Sequence, residues 1–214
     1  MTTEAIAHFL IYYIHAPFGG LALLTGGLAL VSKKGNYLHK KSGIIFYYAM
    51  LISALTALLI SILPNHESAF LFSIGVFSSY FLLSGYRSLK FKKLNHSIVL
   101  DKVIAYIIVI TSISMIIFPF LFYQQLNIIL LIFGGIGILF GLRDLLLFRD
   151  QKRLKMKWLK LHVGKMTGGY ISAITAFFVV NQILINLWNW FLPGVIGSIY
   201  ITFWIRKLKK QEMN

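Results

Sequence analysis

The segment Ile44–Leu63, IIFYYAMLISALTALLISIL, contains no charged residue and is long enough to cross a bilayer as one helix. Backbone groups in hydrocarbon must be hydrogen-bonded within the protein, so only helices and closed barrels span membranes. Barrel strands alternate polar and apolar residues, and neither this segment nor Leu126–Leu142 does so. The sequence therefore predicts an all-α, polytopic membrane bundle.

Composition and charge agree with this fold class. The chain has 214 residues, of which 58% are apolar and only 13% charged, about half the charged share of a soluble domain. A net charge of +15 would indicate nucleic-acid binding in a soluble protein. Here the basic residues lie between apolar segments, so no nucleic-acid partner is predicted. The chain has no cysteine, so it forms no disulfide. Its first twenty residues contain no Lys or Arg, and this lack of positive charge argues against a secretory signal peptide.

Seven apolar segments are predicted to be transmembrane helices. They are Ile6–Val31, Gly43–Leu63, Ser68–Tyr86, Val103–Tyr123, Leu126–Phe148, Val163–Ile185 and Phe191–Ile205. All 21 Lys and Arg residues fall on one side of this pattern. Because basic residues stay cytoplasmic, we expect the N-terminus outside and the C-terminus inside, with the chain in the inner (cytoplasmic) membrane. The basic segment Arg149–Leu161 is expected to form a short surface helix that touches anionic lipid headgroups.

The sequence also indicates an internal duplication. The matching segments are ISALTA (Ile52–Ala57) with ISAITA (Ile171–Ala176), and FGGLALLTG (Phe18–Gly26) with FGGIGILFG (Phe133–Gly141). When ISALTA is aligned with ISAITA, the same alignment without gaps places Arg87 opposite Arg206. We predict one membrane domain, 1–214, made of repeat one (5–93), a linker helix (98–123) and repeat two (126–210). A single linker helix gives both repeats the same orientation, a parallel repeat about an axis along the membrane normal.

The arrangement of three, one and three helices with the N-terminus outside resembles that of SWEET and PQ-loop sugar transporters, which implies a carrier. Helices 1 and 5 contain no Pro-Gln pair, so a sugar substrate is not inferred. The segments HAPFGGLALLTG, LHKKSGIIFYYAMLISAL and LHVGKMTGGYISAITAFFVVN resemble a family of bacterial multi-pass membrane proteins of the domain of unknown function 2306 type. That resemblance implies a membrane location and no particular activity.

A candidate mid-membrane site lies where proline and glycine interrupt helix 1. Pro17 removes a backbone hydrogen bond, while Gly19 and its repeat mate Gly134 allow helix backbones to approach closely. His15 lies one turn before Gly19, and an ionisable residue inside a membrane is a functional candidate by default. We predict a polar cavity along the seam between helices 1 and 5, reached from outside. The alternatives are simple packing for the glycines and a neutral His15 bonded to a freed carbonyl.

Two pairs of hydroxyl residues match between the repeats at mid-membrane depth. Ser53 and Thr56 in helix 2 correspond to Ser172 and Thr175 in helix 6. Their hydroxyls could line a polar pocket. Alternatively, they bond back to carbonyls of their own helices or join neighbouring helices.

A second candidate site consists of His39 and His162. Each follows a leucine and opens the second helix of its repeat on the cytoplasmic side. Two imidazoles related by a twofold axis could ligate a b-type haem axially or hold a metal. The alternative is a histidine with its polar tip at the headgroup level. His96 and Asp101 lie on the same side, but the chain lacks a His-x-x-x-His pair, so no zinc site is predicted with them.

The sequence is compatible with three functions. The first is a carrier of a small molecule or ion, with its site between the two three-helix repeats. The second is a haem- or metal-binding membrane redox protein that uses His39 and His162. The third is a non-catalytic membrane partner subunit. No nucleotide fingerprint, phosphate loop or CxxCH motif points to an enzyme.

Overall fold

The computed structural model describes residues 2–93, 96–185 and 188–213, with side chains as far as Lys210. Every regular element among these residues is helical, which confirms the all-α prediction for the described part of the chain. The helices are α1 (Thr3–Val31), α2 (Tyr37–Ile60), α3 (Ala69–Arg87), α4 (Val99–Tyr123), α5 (Ile128–Leu147), α6 (Gln151–Asn181) and α7 (Trp188–Met213). A 3₁₀ segment, Ser88–Lys92, follows α3 directly.

Six of these helices, α1 to α6, are long and apolar enough to cross a membrane. The protein is therefore a multi-pass membrane protein. α7 is not among the six, because tryptophan and asparagine open it and basic residues crowd its last turns. Seven spans, the orientation of the chain and the choice of the inner membrane stay predictions.

Five helices begin earlier than the hydropathy pattern predicts, and the differences are largest for α2 and α6. α2 starts at Tyr37, because the Asn36 side chain accepts a 2.8 Å hydrogen bond from the backbone N–H of His39 and caps the helix. α6 runs without interruption from Gln151, since its first turns consist of strong helix formers. The prediction of a separate surface helix at Arg149–Leu161 was therefore wrong: most of that segment is the start of α6.

The chain divides by packing into two compact units. Unit 1 comprises Met1–Leu82 and Val163–Asn214, and unit 2 comprises Leu83–His162. Unit 1 holds α1, α2, most of α3, the C-terminal part of α6, and α7. The unit boundaries fall inside α3 and α6 and do not coincide with the repeat boundaries, so the duplication stays a prediction.

Close contacts in unit 1 join α1, α2 and α6. A Cβ atom added at Gly26 would lie 2.5 Å from the Tyr170 ring and 2.9 Å from Phe46. The Tyr170 hydroxyl donates to the Leu23 carbonyl at 3.1 Å, and its ring meets Phe46 edge-on. Gly26 thus lets a tyrosine of α6 lie directly against the backbone of α1.

Close contacts in unit 2 join α4 and α5. A Cβ atom at Gly134 would lie 2.8 Å from the Ser112 carbonyl oxygen, and one at Gly141 would lie 3.0 Å from that of Ala105. Small residues allow this backbone-to-backbone approach. The glycines of α1 therefore pack against α2 and α6, whereas the glycines of α5 that match them in sequence pack against α4. The two matching sets of glycines thus have neighbours that do not match in the predicted repeat.

Candidate functional site

α1 is continuous through Pro17, and the interruption predicted there is a π-helical turn. The helix consists of an α segment Thr3–Phe9, a π segment Leu10–His15 and an α segment Ala16–Val31. At the end of the π segment the Ala16 N–H donates to the Ile11 carbonyl, five residues earlier. Because Pro17 has no N–H to continue the ladder, the widened turn before it absorbs the missing bond without ending the helix. Such π turns are frequent at functional sites.

The π turn places His15 against Ser53 of α2. His15 Nδ1 lies 3.0 Å from the Ser53 carbonyl oxygen and 3.2 Å from Ser53 Oγ. In return, Ser53 Oγ donates to the His15 carbonyl at 3.2 Å. Since a carbonyl can only accept, Nδ1 carries the proton of the neutral imidazole, and Nε2 is the nitrogen that gains a proton when the ring becomes charged.

Thr56 and Gly19 complete this arrangement. The Thr56 hydroxyl donates to the carbonyls of Ile52 and Ser53, both at 2.9 Å, so the Ser53 carbonyl receives donors from two side chains. A Cβ atom at Gly19 would lie 3.2 Å from Ser53 Oγ. Gly19 therefore allows α1 and α2 to approach where the hydrogen bonds form. We call His15, Gly19, Ser53 and Thr56 the His15–Ser53 cluster.

Other residues of the predicted mid-membrane site lie elsewhere. Ser172 and Thr175 of α6 are buried, and the Ser172 hydroxyl donates to the Gly168 carbonyl at 3.1 Å, one turn earlier in the same helix. Gly134 lies in unit 2 and packs on α4. Pro17 is exposed. The described contacts thus gather His15, Gly19, Ser53 and Thr56, while the seam between helices 1 and 5 stays a prediction.

His39 binds the C-terminal end of α1. Its Nδ1 donates to the Ala29 carbonyl at 2.9 Å. Lys34 Nζ donates to the Ala29 carbonyl at 3.0 Å and to the Leu30 carbonyl at 2.5 Å. The Leu30 carbonyl also accepts a hydrogen bond from the Tyr200 hydroxyl. Burial lowers the pKa of Lys34. His39 and Lys34 together satisfy carbonyls that an α-helix leaves without a donor at its end.

His162 makes a similar bond in unit 2. Its Nδ1 donates to the Gly85 carbonyl, in the last turn of α3, at 3.0 Å. Both histidines of the haem hypothesis thus bind helix ends through Nδ1, an arrangement that capping explains and that ligand histidines also use. His39 lies in unit 1 and His162 in unit 2. Among the described residues no group of three His, Cys, Asp or Glu could hold a metal, and the haem hypothesis stays a prediction.

The sequence did not predict an ion pair between α3 and α4. Arg87 binds Asp101 through Nε–Oδ1 and Nη2–Oδ2 contacts of 2.8 Å each, and His96 Nε2 lies 3.5 Å from Asp101 Oδ2. The only available signal was an aspartate in the first turn of an apolar helix, opposite an arginine in the last turn of the preceding one. The pair anchors the junction of the two helices.

Lys165 is a second residue that sequence reasoning missed, because it was counted with the cytoplasmic cations. It lies within α6, and its Nζ donates to the Tyr80 hydroxyl at 3.2 Å and lies 4.7 Å from the centre of the Tyr80 ring. Tyr80 is buried in α3. Lys165 lies where the basic first turns of α6 give way to its apolar part, and its contacts with Tyr80 join α6 to α3.

The comparisons with known proteins found no match for this chain. No protein-family model matches the chain, and neither a curated protein nor a solved structure matches it. The resemblance to the domain of unknown function 2306 family and the topological resemblance to SWEET transporters therefore stay expectations from the sequence.

Proposed function

We propose that this protein is a membrane carrier of a small molecule or ion, and that the His15–Ser53 cluster is the proton-sensitive part of its site. One observation carries the proposal: a titratable imidazole lies near the middle of a membrane-length helix, held by Ser53 at a π turn. Ionisable groups in such positions are costly and are found where substrates, ions or protons pass.

The hydrogen bonds of His15 support a role in binding protons. Nδ1 is occupied by Ser53, so the ring is oriented and Nε2 is the nitrogen left to accept a proton. Among the described residues Nε2 has no hydrogen-bond partner, and the side chain is half-buried. A proton on Nε2 changes the local charge without disturbing the Nδ1 bond. We infer that this charge sets the affinity for the carried species.

The contacts of α6 support a site where the two predicted repeats meet. α1 and α2 belong to repeat one and α6 to repeat two, yet all three contribute to unit 1. Tyr170 of α6 binds the Leu23 carbonyl and fills the space above Gly26. We propose that the carried species passes along this junction, near the hydroxyls of Ser53 and Thr56 and, on α6, Ser172 and Thr175.

Reconstituted vesicles test the proposal directly. Currents across a supported membrane are recorded while amino acids, organic acids, sugars, Na⁺ and K⁺ are applied in turn, and a pH-sensitive dye inside vesicles records proton flux. We expect at least one of these to move, with a rate that depends on pH, because an imidazole can gain a proton.

Two variants separate the cluster from the carrier function. His15→Ala should abolish the pH dependence, because it removes the imidazole that Ser53 holds at the π turn. His8→Ala should keep it, since His8 is exposed, lies two turns before His15 in the same helix, and has its ring tilted against that of Tyr12. Flux whose pH dependence survives in His15→Ala would overturn the role of the cluster. The absence of any flux from the wild-type protein would overturn the carrier proposal itself.

A further inference from the structure

The C-terminal half of α7 presents one exposed face that changes from apolar to basic along the helix. An open groove of about 670 Å³ follows this face. Beyond Ser198 it is lined by Ile199, Thr202, Phe203, Arg206, Lys207 and Lys210, all of them exposed. We call this surface the α7 groove.

The cations of the α7 groove have no acidic partner among the described side chains. Lys207 Nζ lies 4.9 Å from the centre of the Trp204 ring, and none of the ion pairs between described side chains involves Arg206, Lys207 or Lys210. The contrast with Arg87, which falls on Arg206 in the register of the repeat, is direct. Arg87 is neutralised by two 2.8 Å contacts to Asp101, whereas Arg206 is exposed and forms no ion pair with a described side chain.

We propose that the α7 groove binds an anionic phospholipid. The phosphate lies against Arg206, Lys207 and Lys210, and one acyl chain lies along Ile199 and Phe203. Arginine and lysine are suited to this headgroup because guanidinium binds phosphate in a bidentate manner and ammonium binds it as a point charge. Basic residues at the end of a membrane helix attract anionic lipids for the same reason.

The dimensions of the groove fit a lipid. Twelve residues separate Ser198 from Lys210, which corresponds to about 18 Å along an α-helix. The apolar part, from Ser198 to Phe203, accounts for about 8 Å of this length, so the first part of an acyl chain lies along it while the phosphate contacts the cations. A free anion would use only the basic end and leave Ile199 and Phe203 uncovered, which is why a lipid is the better occupant.

A competition between two lipids tests the proposal. Purified protein is mixed with equal amounts of phosphatidylglycerol, which is anionic, and phosphatidylcholine, which has no net charge, and the lipids retained are counted by native mass spectrometry. The variant R206Q/K207Q/K210Q should lose the preference for phosphatidylglycerol by about tenfold or more, given the attraction expected per basic residue. The control K33Q/K40Q/K41Q removes three exposed cations around the start of α2 and should keep it.

The outcomes are distinct. An equal loss in both triple variants would show that the preference follows total charge, and no loss in either would show that the groove does not select the headgroup; both results overturn the proposal. Inorganic phosphate that displaces the lipid at millimolar concentration would identify the occupant as a free anion and would overturn it as well. If the α7 variant fails to fold, photocrosslinking of wild-type protein with phosphatidylglycerol decides instead: label on residues 198–210 supports the site, and label only on other helices refutes it.

Discussion

Arg87 and Asp101 form a bidentate ion pair that joins the end of α3 to the first turn of α4. The Nε–Oδ1 and Nη2–Oδ2 distances are both 2.8 Å. The Asp101 side chain is 2% exposed and that of Arg87 12%, so both charges are largely removed from solvent. A 3₁₀ segment, Ser88–Lys92, follows α3 in the chain between the two paired residues.

Removing one member of this pair should be costly. Asp101→Ala leaves the Arg87 guanidinium buried without its carboxylate, and we expect the free energy of unfolding to fall by about 3–5 kcal/mol. Thermal unfolding in detergent, followed by circular dichroism, measures the effect. Arg87→Leu/Asp101→Leu is the matched control, because apolar side chains replace both charges and should restore much of the stability. A single variant no less stable than the double variant would contradict the assignment.

Apolar segments could be predicted from the sequence because their composition alone determines whether they can cross a membrane. The ends of the helices are harder to predict from the sequence. α2 extends to Tyr37 and α6 to Gln151, because Asn36 caps one helix and Asp150 accepts from the Arg153 N–H at the start of the other. These caps depend on single side chains, which a hydropathy pattern does not detect.

The candidate site could be predicted only in part. His15 and Ser53 were each singled out, the first as an ionisable group and the second as a mid-membrane hydroxyl. Their pairing depends on the π turn before Pro17 and on how closely α1 approaches α2 at Gly19. Both are properties of helix packing, so no spacing within the sequence indicates them.

The histidines of the haem hypothesis should act as helix caps. His39→Ala and His162→Ala each remove a hydrogen bond to a carbonyl at a helix end, and we expect a loss of about 1 kcal/mol in unfolding free energy for each. The visible spectrum of the purified protein is recorded alongside thermal unfolding. A Soret band that both substitutions abolish would favour the haem hypothesis over the carrier proposal.

Reporter fusions test the orientation of the chain. Because all Lys and Arg residues fall on one side of the predicted pattern, fusions after Lys41 and Lys155 should report cytoplasm. Fusions after Asn65 and Gln125, in segments without Lys or Arg, should report the outside. Further fusions after Asn95 and Asn214, which lie outside the described residues, should also report cytoplasm. A cytoplasmic signal at Asn65 or Gln125 would break the alternation that seven spans require.

The neighbouring glycines of α5 provide a matched pair of substitutions. A Cβ atom at Gly134 would lie 2.8 Å from the Ser112 carbonyl oxygen and 2.6 Å from Ile116, whereas one at Gly135 would meet nothing within 4 Å.

Gly134→Ala should therefore force α5 away from α4 and lower the unfolding free energy by about 1–3 kcal/mol, the usual cost of overpacking. The clashing carbonyl belongs to the backbone of α4 and cannot rotate aside as a side chain would. Gly135→Ala should leave stability unchanged or raise it slightly, since alanine favours the helix. Thermal unfolding of the two variants under identical conditions measures the difference. Equal stability of the two variants would mean that Gly134 does not lie at a close contact between α4 and α5. The same result would reopen the predicted seam between helices 1 and 5 as the place where Gly134 acts.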